Sequence, residues 1–182
     1  MTQHLVYVGI GSNIEQEKYI RLAVKYLQEY FSKSVADKDC DLKLSPVYKT
    51  QAIGFEGDDF FNLVASFNTT MSPIEVEKTL KEIEHQNGRR RNQEKFSART
   101  LDIDLLLYDD EIIHQDGISV PRDEIEKYAF VLSPLADLSP DLIHPQTKKS
   151  MADMWQILAQ KTRNDSGGQA LEKIDFCWDA KT

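Results

Sequence analysis

Strand-like and helix-like spacings of apolar residues alternate along the chain as far as Tyr108. Leu5-Val6-Tyr7-Val8-Gly9-Ile10 is a β-rich run bounded by Gly11-Ser12-Asn13, which predicts a strand ending in a turn. Between Glu15 and Phe31 the apolar positions Ile20, Val24, Leu27 and Phe31 recur at helical spacing. A polar loop, Ser32–Asp41, separates this helix from a second strand over Leu42–Tyr48, where Pro46 requires an edge position or a bulge. Thr50–Asp59 holds two glycines and no periodicity and reads as a connection. Phe60–Phe67 then predicts a third strand, antiparallel to the second. The next helix is the best marked: Ser72 caps it, Pro73 suits its first turn, Glu75 completes a capping box, and Gly88 stops it. Val76, Leu80 and Ile83 supply its buried stripe. Thr100–Tyr108 is a strand whose period of two puts Asp102 and Asp104 on one face and Leu101, Ile103 and Leu105 on the other.

The resulting order, β-α-β-β-α-β, predicts an α+β fold with a ferredoxin-like core. A C-terminal extension follows, with a hairpin at Ile112–Val120, a helical segment near Asp123–Tyr128 and a helix near Ser150–Lys161. Gly167-Gly168 marks a loop before a final strand or tail. No repeat or linker divides the 182 residues, so the reading is a single domain over 1–182.

Composition narrows the class. The net charge of −8 opposes a nucleic-acid-binding module, which carries a basic face. No apolar run approaches the ~20 residues needed to span a bilayer. The start, Met1-Thr2-Gln3-His4, lacks the features of a signal peptide, and Cys40 and Cys177 have no metal-type spacing. The expectation is a cytoplasmic protein, away from membranes and nucleic acid.

Against this acidic background six of the 22 basic residues fall between Lys81 and Arg99. The cluster runs directly into Asp102-Ile103-Asp104. Taken alone, the cations read equally as a solvated basic loop, and an isolated Asp-x-Asp as a solvated strand face. Together they match what a polyphosphate needs: Arg and Lys for its oxygens, carboxylates for the Mg²⁺ that travels with it. Two carboxylates side by side on an otherwise apolar strand also require a cation between them. Gly9-x-Gly11-Ser12-Asn13 is neither a Walker loop nor a dinucleotide fingerprint, and reads as a plain strand-to-helix turn.

The chain resembles the 6-hydroxymethyl-7,8-dihydropterin pyrophosphokinases. The resemblance is carried by Tyr7-Val8-Gly9-Ile10-Gly11-Ser12-Asn13, Tyr48-Lys49-Thr50, Phe60-Phe61-Asn62 and Arg99-Thr100-Leu101-Asp102-Ile103-Asp104-Leu105-Leu106. It continues through Val120-Pro121, Phe130-Val131-Leu132-Ser133-Pro134-Leu135 and His144-Pro145. It implies a ferredoxin-like fold and transfer of pyrophosphate from ATP to the hydroxymethyl oxygen of the pterin, releasing AMP. It further implies that Asp102 and Asp104 bind two Mg²⁺ ions, with Arg91 and Arg99 bearing transition-state charge. Glu84, Arg89, Arg91, Arg99, Ser119 and Arg122 fall at nucleotide positions; Thr50, Ile53, Phe60, Asn62, Phe96 and Phe130 fall at pterin positions. Phe60 and Phe130 would stack on the ring while Asn62 reads its hydrogen-bonding edge.

The chain departs from the family pattern at several points. Arg122 stands where His is common, Tyr128 where many members carry Arg, Phe96 where Trp is usual, Ser97 for a small residue and Ala52 for a proline. These departures leave open a paralogue acting on a modified pterin. A nucleotidyltransferase also pairs Gly-Ser with Asp-x-Asp, but there the two lie close in sequence, whereas Ser12 and Asp102 are 90 residues apart (102 − 12). A non-enzymatic ferredoxin-like nucleotide-binding module is the remaining alternative. The partners expected are ATP and the pterin, and the oligomeric state expected is a monomer. If the resemblance holds, Thr50–Asp59, Gly88–Ala98 and the chain from Asp109 onward should become more ordered when both substrates bind, because excluding water favours transfer over hydrolysis. No general base is evident among His4, His85, His114 and His144.

Overall fold

The computed structural model describes residues 2–32, 42–52, 57–88, 99–164 and 170–179. Strand β1 (His4–Ser12) leads into helix α1 (Gln16–Ser32); short strands β2 (Lys43–Leu44) and β3 (Val47–Thr50) precede the long β4 (Phe60–Thr69). Helix α2 (Pro73–Gln86) and strand β5 (Asp102–Tyr108) complete the core. The sheet order β5-β1-β4-β3 is antiparallel throughout, which is the ferredoxin-like arrangement predicted from element order. After it come hairpin β6 (Ile113–Gln115) and β7 (Ile118–Val120), helices α3 (Glu124–Lys127), α4 (Ala129–Leu138) and α5 (Met151–Asn164), and strand β8 (Leu171–Ile174).

The sheet is apolar on both faces, and this sets the layering. Val6, Val8 and Ile10 of β1, Leu63, Ala65 and Phe67 of β4, and Leu101, Ile103 and Leu105 bury against α1 and α2. The alternate positions Tyr7, Val64 and Leu106 bury against α3, α4 and α5. Pairing shifts register between Tyr7 and Val8, opposite Leu107 and Leu105. The extra residue makes Leu106 and Leu107 share the α4 face before Tyr108 returns to the α1/α2 face. Asp102 and Asp104 precede this bulge and occupy the positions that alternate with buried Leu101, Ile103 and Leu105.

Pro46 is accommodated as expected. β2 and β3 both pair with β4 but in registers one residue apart, and the bulge between them holds Ser45 and Pro46. The Ser45 N–H donates to the Val64 carbonyl and its Oγ accepts from the Val64 N–H, both at 2.9 Å, so a side chain replaces a ladder acceptor. At α2 the Ser72 N–H donates to the Glu75 carboxylate at 2.8 Å, the reciprocal half of the capping box. Gly88 ends the helix with φ +87°, a conformation that costs glycine little. The hairpin turns through Asp116 and Gly117, both at positive φ.

One expectation is corrected, one helix is added, and one of two alternatives is settled. β1 continues through Gly11 and Ser12, because these residues pair with Asn62 and Phe61 of β4, and Gly11 pairs also with Asp102 of β5. Residues 129–138 form α4, hidden from pattern reading because a helix covered by a sheet on one side and α5 on the other is apolar nearly all round. The final strand is β8, which pairs antiparallel with β3 and covers that sheet edge.

Candidate active site

α4 covers only part of its face of the sheet. Beyond it, one end of the sheet presents the last residues of β1, the first of β4 and β5, and the end of β3. Register places Gly9 beside Asp104 and Gly11 between Asp102 on one side and Asn62 on the other. Two glycines thus form a floor separating a carboxylate pair on β5 from a polar and aromatic group on β4 and β3. A Cβ at Gly11 would lie 3.1 Å from Asn62 Oδ1 and 3.8 Å from Phe60, so the missing side chain is the space those groups occupy. The Gly9-x-Gly11 segment read as a plain turn is a structural element of the site.

The acidic side is held by cations. Arg99 Nη1 donates to Asp102 Oδ2, and Arg122 Nη2 donates to Asp104 Oδ1 at 2.8 Å. Arg122 also reaches Glu124 at 3.2 Å. Burial opposes the charge on Arg122, yet Asp104, Glu124, Glu77 and Asp102 together outweigh it and raise its pKa above the usual guanidinium value. Its backbone N–H donates to the Leu106 carbonyl at 2.9 Å, which fixes the segment after β7 along the outer edge of β5.

Glu84 has a second task beyond its predicted place near the nucleotide. It is 2% exposed, and its Oε1 accepts the Ile103 backbone N–H at 2.8 Å. Among the described residues β5 is an edge strand with no strand pairing Ile103 on that side, and a carboxylate from α2 supplies the acceptor. Its other oxygen lies 3.3 Å from Lys81 Nζ, which is also 3.8 Å from Asp104 Oδ1. Lys81, counted in the basic cluster of the sequence but given no role at the site, therefore joins the cations around Asp104; its spacing of three from Glu84 on one helix was the available signal.

On the other side, Asn62 and Thr50 are each 7% exposed, and Asn62 Nδ2 donates to Thr50 Oγ1 at 2.9 Å. This leaves Asn62 Oδ1 directed at the glycine floor. Phe60 shares the face with Asn62. Phe130, at the start of α4, has Tyr128 stacked against it, with centroids 5.1 Å apart and planes 19° apart. Ser119 lies on the β6–β7 hairpin, its hydroxyl 3.1 Å from His114 Nδ1. Arg89, Arg91, Ile53 and Phe96 lie outside the described residues, as do 53–56 of the first loop expected to order on binding and 89–98 of the second.

The sequence matches the family model for 7,8-dihydro-6-hydroxymethylpterin-pyrophosphokinase over residues 7–140. The chain belongs to this family. Among curated relatives, the 2-amino-4-hydroxy-6-hydroxymethyldihydropteridine pyrophosphokinase of Aquifex aeolicus is 35% identical over 150 residues, covering 81% of this chain and 88% of that protein. The enzyme of the same name from Bacillus subtilis is 32% identical over 137 residues, covering 74% and 78%. A solved HPPK-DHPS structure in complex with substrates superposes with a TM-score of 0.71 at 11% identity, covering 91% of this chain and 45% of that one. Wild-type Plasmodium falciparum HPPK-DHPS gives 0.69 at 12% identity, with 91% and 46% covered. This chain thus spans under half of those solved chains, and at that identity they establish the shared fold. The family match accounts for β1 through α4; α5 and β8 lie beyond it.

Proposed function

We propose that this chain transfers the terminal pyrophosphoryl group of ATP to the hydroxymethyl oxygen of 6-hydroxymethyl-7,8-dihydropterin, the activity named for its curated relatives. The hydroxymethyl oxygen bonds to the β-phosphorus, the bond from that phosphorus to the α,β-bridging oxygen breaks, AMP departs, and the hydroxyl proton is released. The observation that carries this reading is the pairing of Asp102 and Asp104 with Arg99 and Arg122 on one side of a glycine floor, with the Thr50–Asn62 pair on the other. One side suits a metal-loaded triphosphate and the other a flat ring with a donor–acceptor edge.

The acidic pair fits Mg²⁺. Its donors are hard carboxylate oxygens, and among the described residues no group of three or more His, Cys, Asp and Glu forms a closed metal cage. A cation that keeps several ligand positions for water and phosphate oxygens matches such an open pair. When bound, Mg²⁺ would neutralise charge on the phosphoryl oxygens. Asp102 and Asp104 would hold it, while Arg99, Arg122 and Lys81, released from their carboxylates, would turn to the triphosphate. Arg89 and Arg91 would extend that cationic clamp. Glu84 would keep β5 in register beneath the phosphates. Asn62 would read the pterin edge with Oδ1, and Phe60 and Phe130 would hold the ring.

The reading is tested by supplying ATP, Mg²⁺ and the hydroxymethyl pterin and identifying the nucleotide released. AMP supports it; ADP, or AMP with free pyrophosphate and unchanged pterin, contradicts it.

A further inference from the structure

Asn13 is 1% exposed just after β1, and its side-chain amide and backbone N–H engage two distant segments. Its Oδ1 accepts the Arg99 backbone N–H at 2.7 Å, and its own backbone N–H donates to the Arg99 carbonyl at 3.1 Å. Both main-chain groups of Arg99 are therefore committed to one residue 86 positions earlier. The Asn13 Nδ2 donates to the Asp58 carbonyl at 3.3 Å, two residues before Phe60 opens β4. Gln16, in the first turn of α1, donates to the adjacent Asp59 carbonyl at 2.9 Å and repeats the attachment.

We infer that Asn13 is a positioning residue that joins the two halves of the site, so that fixing Arg99 at the nucleotide side also fixes the entry to β4 at the pterin side. The inference rests on the assignment of those two sides under the proposed function. A single planar amide carries an acceptor and a donor at a fixed separation. A displacement of Arg99 that rotates the amide to keep its bond to Oδ1 must move Nδ2 relative to Asp58. Among side chains of this length only asparagine does both: aspartate cannot donate, serine cannot reach both ways, and leucine can do neither. The buried location makes the constraint strong, because an amide that lost either partner would be left unsatisfied away from water.

Asn13→Asp separates the two attachments. It retains an acceptor for Arg99 N–H and replaces the donor to Asp58 with a carboxylate oxygen facing a carbonyl. Asn13→Ala removes both side-chain bonds. The measurement is equilibrium binding of Mg²⁺ with a non-hydrolysable ATP analogue, and of the pterin, each alone and each with the other saturating. The ratio of affinities defines a coupling factor that must be equal in both directions. For Asn13→Asp the expected result is analogue affinity within about threefold of the parent and a coupling factor reduced about tenfold, a typical size for such couplings. For Asn13→Ala both analogue affinity and coupling fall. A folded Asn13→Asp protein with unchanged coupling overturns the inference, as does equal weakening of both ligands with coupling intact.

If neither variant folds, the parent protein still decides. Hydrogen exchange at the Arg99 amide, the donor to Asn13, should slow when the pterin binds alone; an unchanged rate overturns the inference. Failure of the functional reading itself would look different: the parent protein would then show no binding of the pterin.

Discussion

Arg122 holds Asp104 across the outer edge of β5, Nη2 to Oδ1 at 2.8 Å, from a segment anchored by the Arg122 N–H on the Leu106 carbonyl. The same carboxylate is a proposed Mg²⁺ ligand, so guanidinium and metal compete for it. Side chains of both residues are 29% exposed, which keeps the pair near the modest strength of partly solvated ion pairs, ~1 kcal/mol or less. Arg122→Gln should therefore tighten Mn²⁺ binding by about two- to fivefold, read by electron paramagnetic resonance, while raising KM for ATP. Unchanged or weaker Mn²⁺ affinity would show that the ion pair does not compete with metal.

The two floor glycines should respond differently to the same change. At Gly9 an added Cβ meets Leu106 at 3.5 Å, an ordinary contact, so Gly9→Ala should be tolerated. At Gly11 it meets Asn62 Oδ1 at 3.1 Å and must displace that amide. Gly11→Ala is expected to raise KM for the pterin about tenfold or more, a loss of ~1.4 kcal/mol, with a melting temperature near that of the parent. Similar kinetics for both variants would remove Asn62 from the pterin side.

Thr50 is predicted to act through Asn62. Thr50→Val preserves shape but leaves Asn62 Nδ2 without its 2.9 Å partner in a buried position, at a cost of about 1–3 kcal/mol. Denaturant unfolding should show that loss. Steady-state kinetics should show a higher KM for the pterin with KM for ATP little changed. An equal rise in both KM values would point instead to a general loosening of β3 and β4.

His144 gives the fold a pH dependence of definite sign. It is 1% exposed, its Nδ1 accepts backbone N–H groups of Gln146 and Thr147 at 3.3 and 3.2 Å, and burial pushes its pKa below the ordinary value. The folded protein therefore binds this proton less readily than the unfolded chain. The stability tied to neutral His144 is complete above the unfolded pKa of about 6.5 and declines as pH falls below it, towards the lower folded pKa. His144→Gln should flatten the stability profile measured by urea unfolding between about pH 6.5 and 5. A profile as steep as the parent's would assign the dependence to other groups.

The core was legible where local signals and tertiary structure agree. Val76, Leu80 and Ile83 are spaced for one face and bury on that face, and Ser72 with Glu75 caps the helix as read. Leu101, Ile103 and Leu105 alternate with Asp102 and Asp104, and that alternation survives because the bulge falls after them, opposite Tyr7 and Val8. Gly11 and Ser12 read as a turn because a Gly-Ser-Asn cluster is a local turn signal; the partners Asn62 and Asp102, far away in sequence, keep β1 going. α4 was missed because burial on opposite sides removes the polar stripe that marks a helix. The cation partners were half visible: Arg99 adjoins its aspartate in sequence, whereas Lys81 meets Asp104 only after α2 docks on β5. Asn13 carried no sequence signal of its role, since its partners lie 45 and 86 residues away.

The role proposed for Asp102 and Asp104 is to hold the Mg²⁺ needed for pyrophosphoryl transfer. It is tested most directly by ³¹P nuclear magnetic resonance of the products formed from ATP, Mg²⁺ and the hydroxymethyl pterin by the parent protein and by Asp104→Asn, with fold checked by circular dichroism. AMP and a pterin diphosphate are expected in equal amounts from the parent, with a rate reduced by at least about 10²-fold, or ~2.7 kcal/mol, in the folded variant. ADP with a pterin monophosphate from the parent, or near-parental formation of the diphosphate by Asp104→Asn, would contradict it.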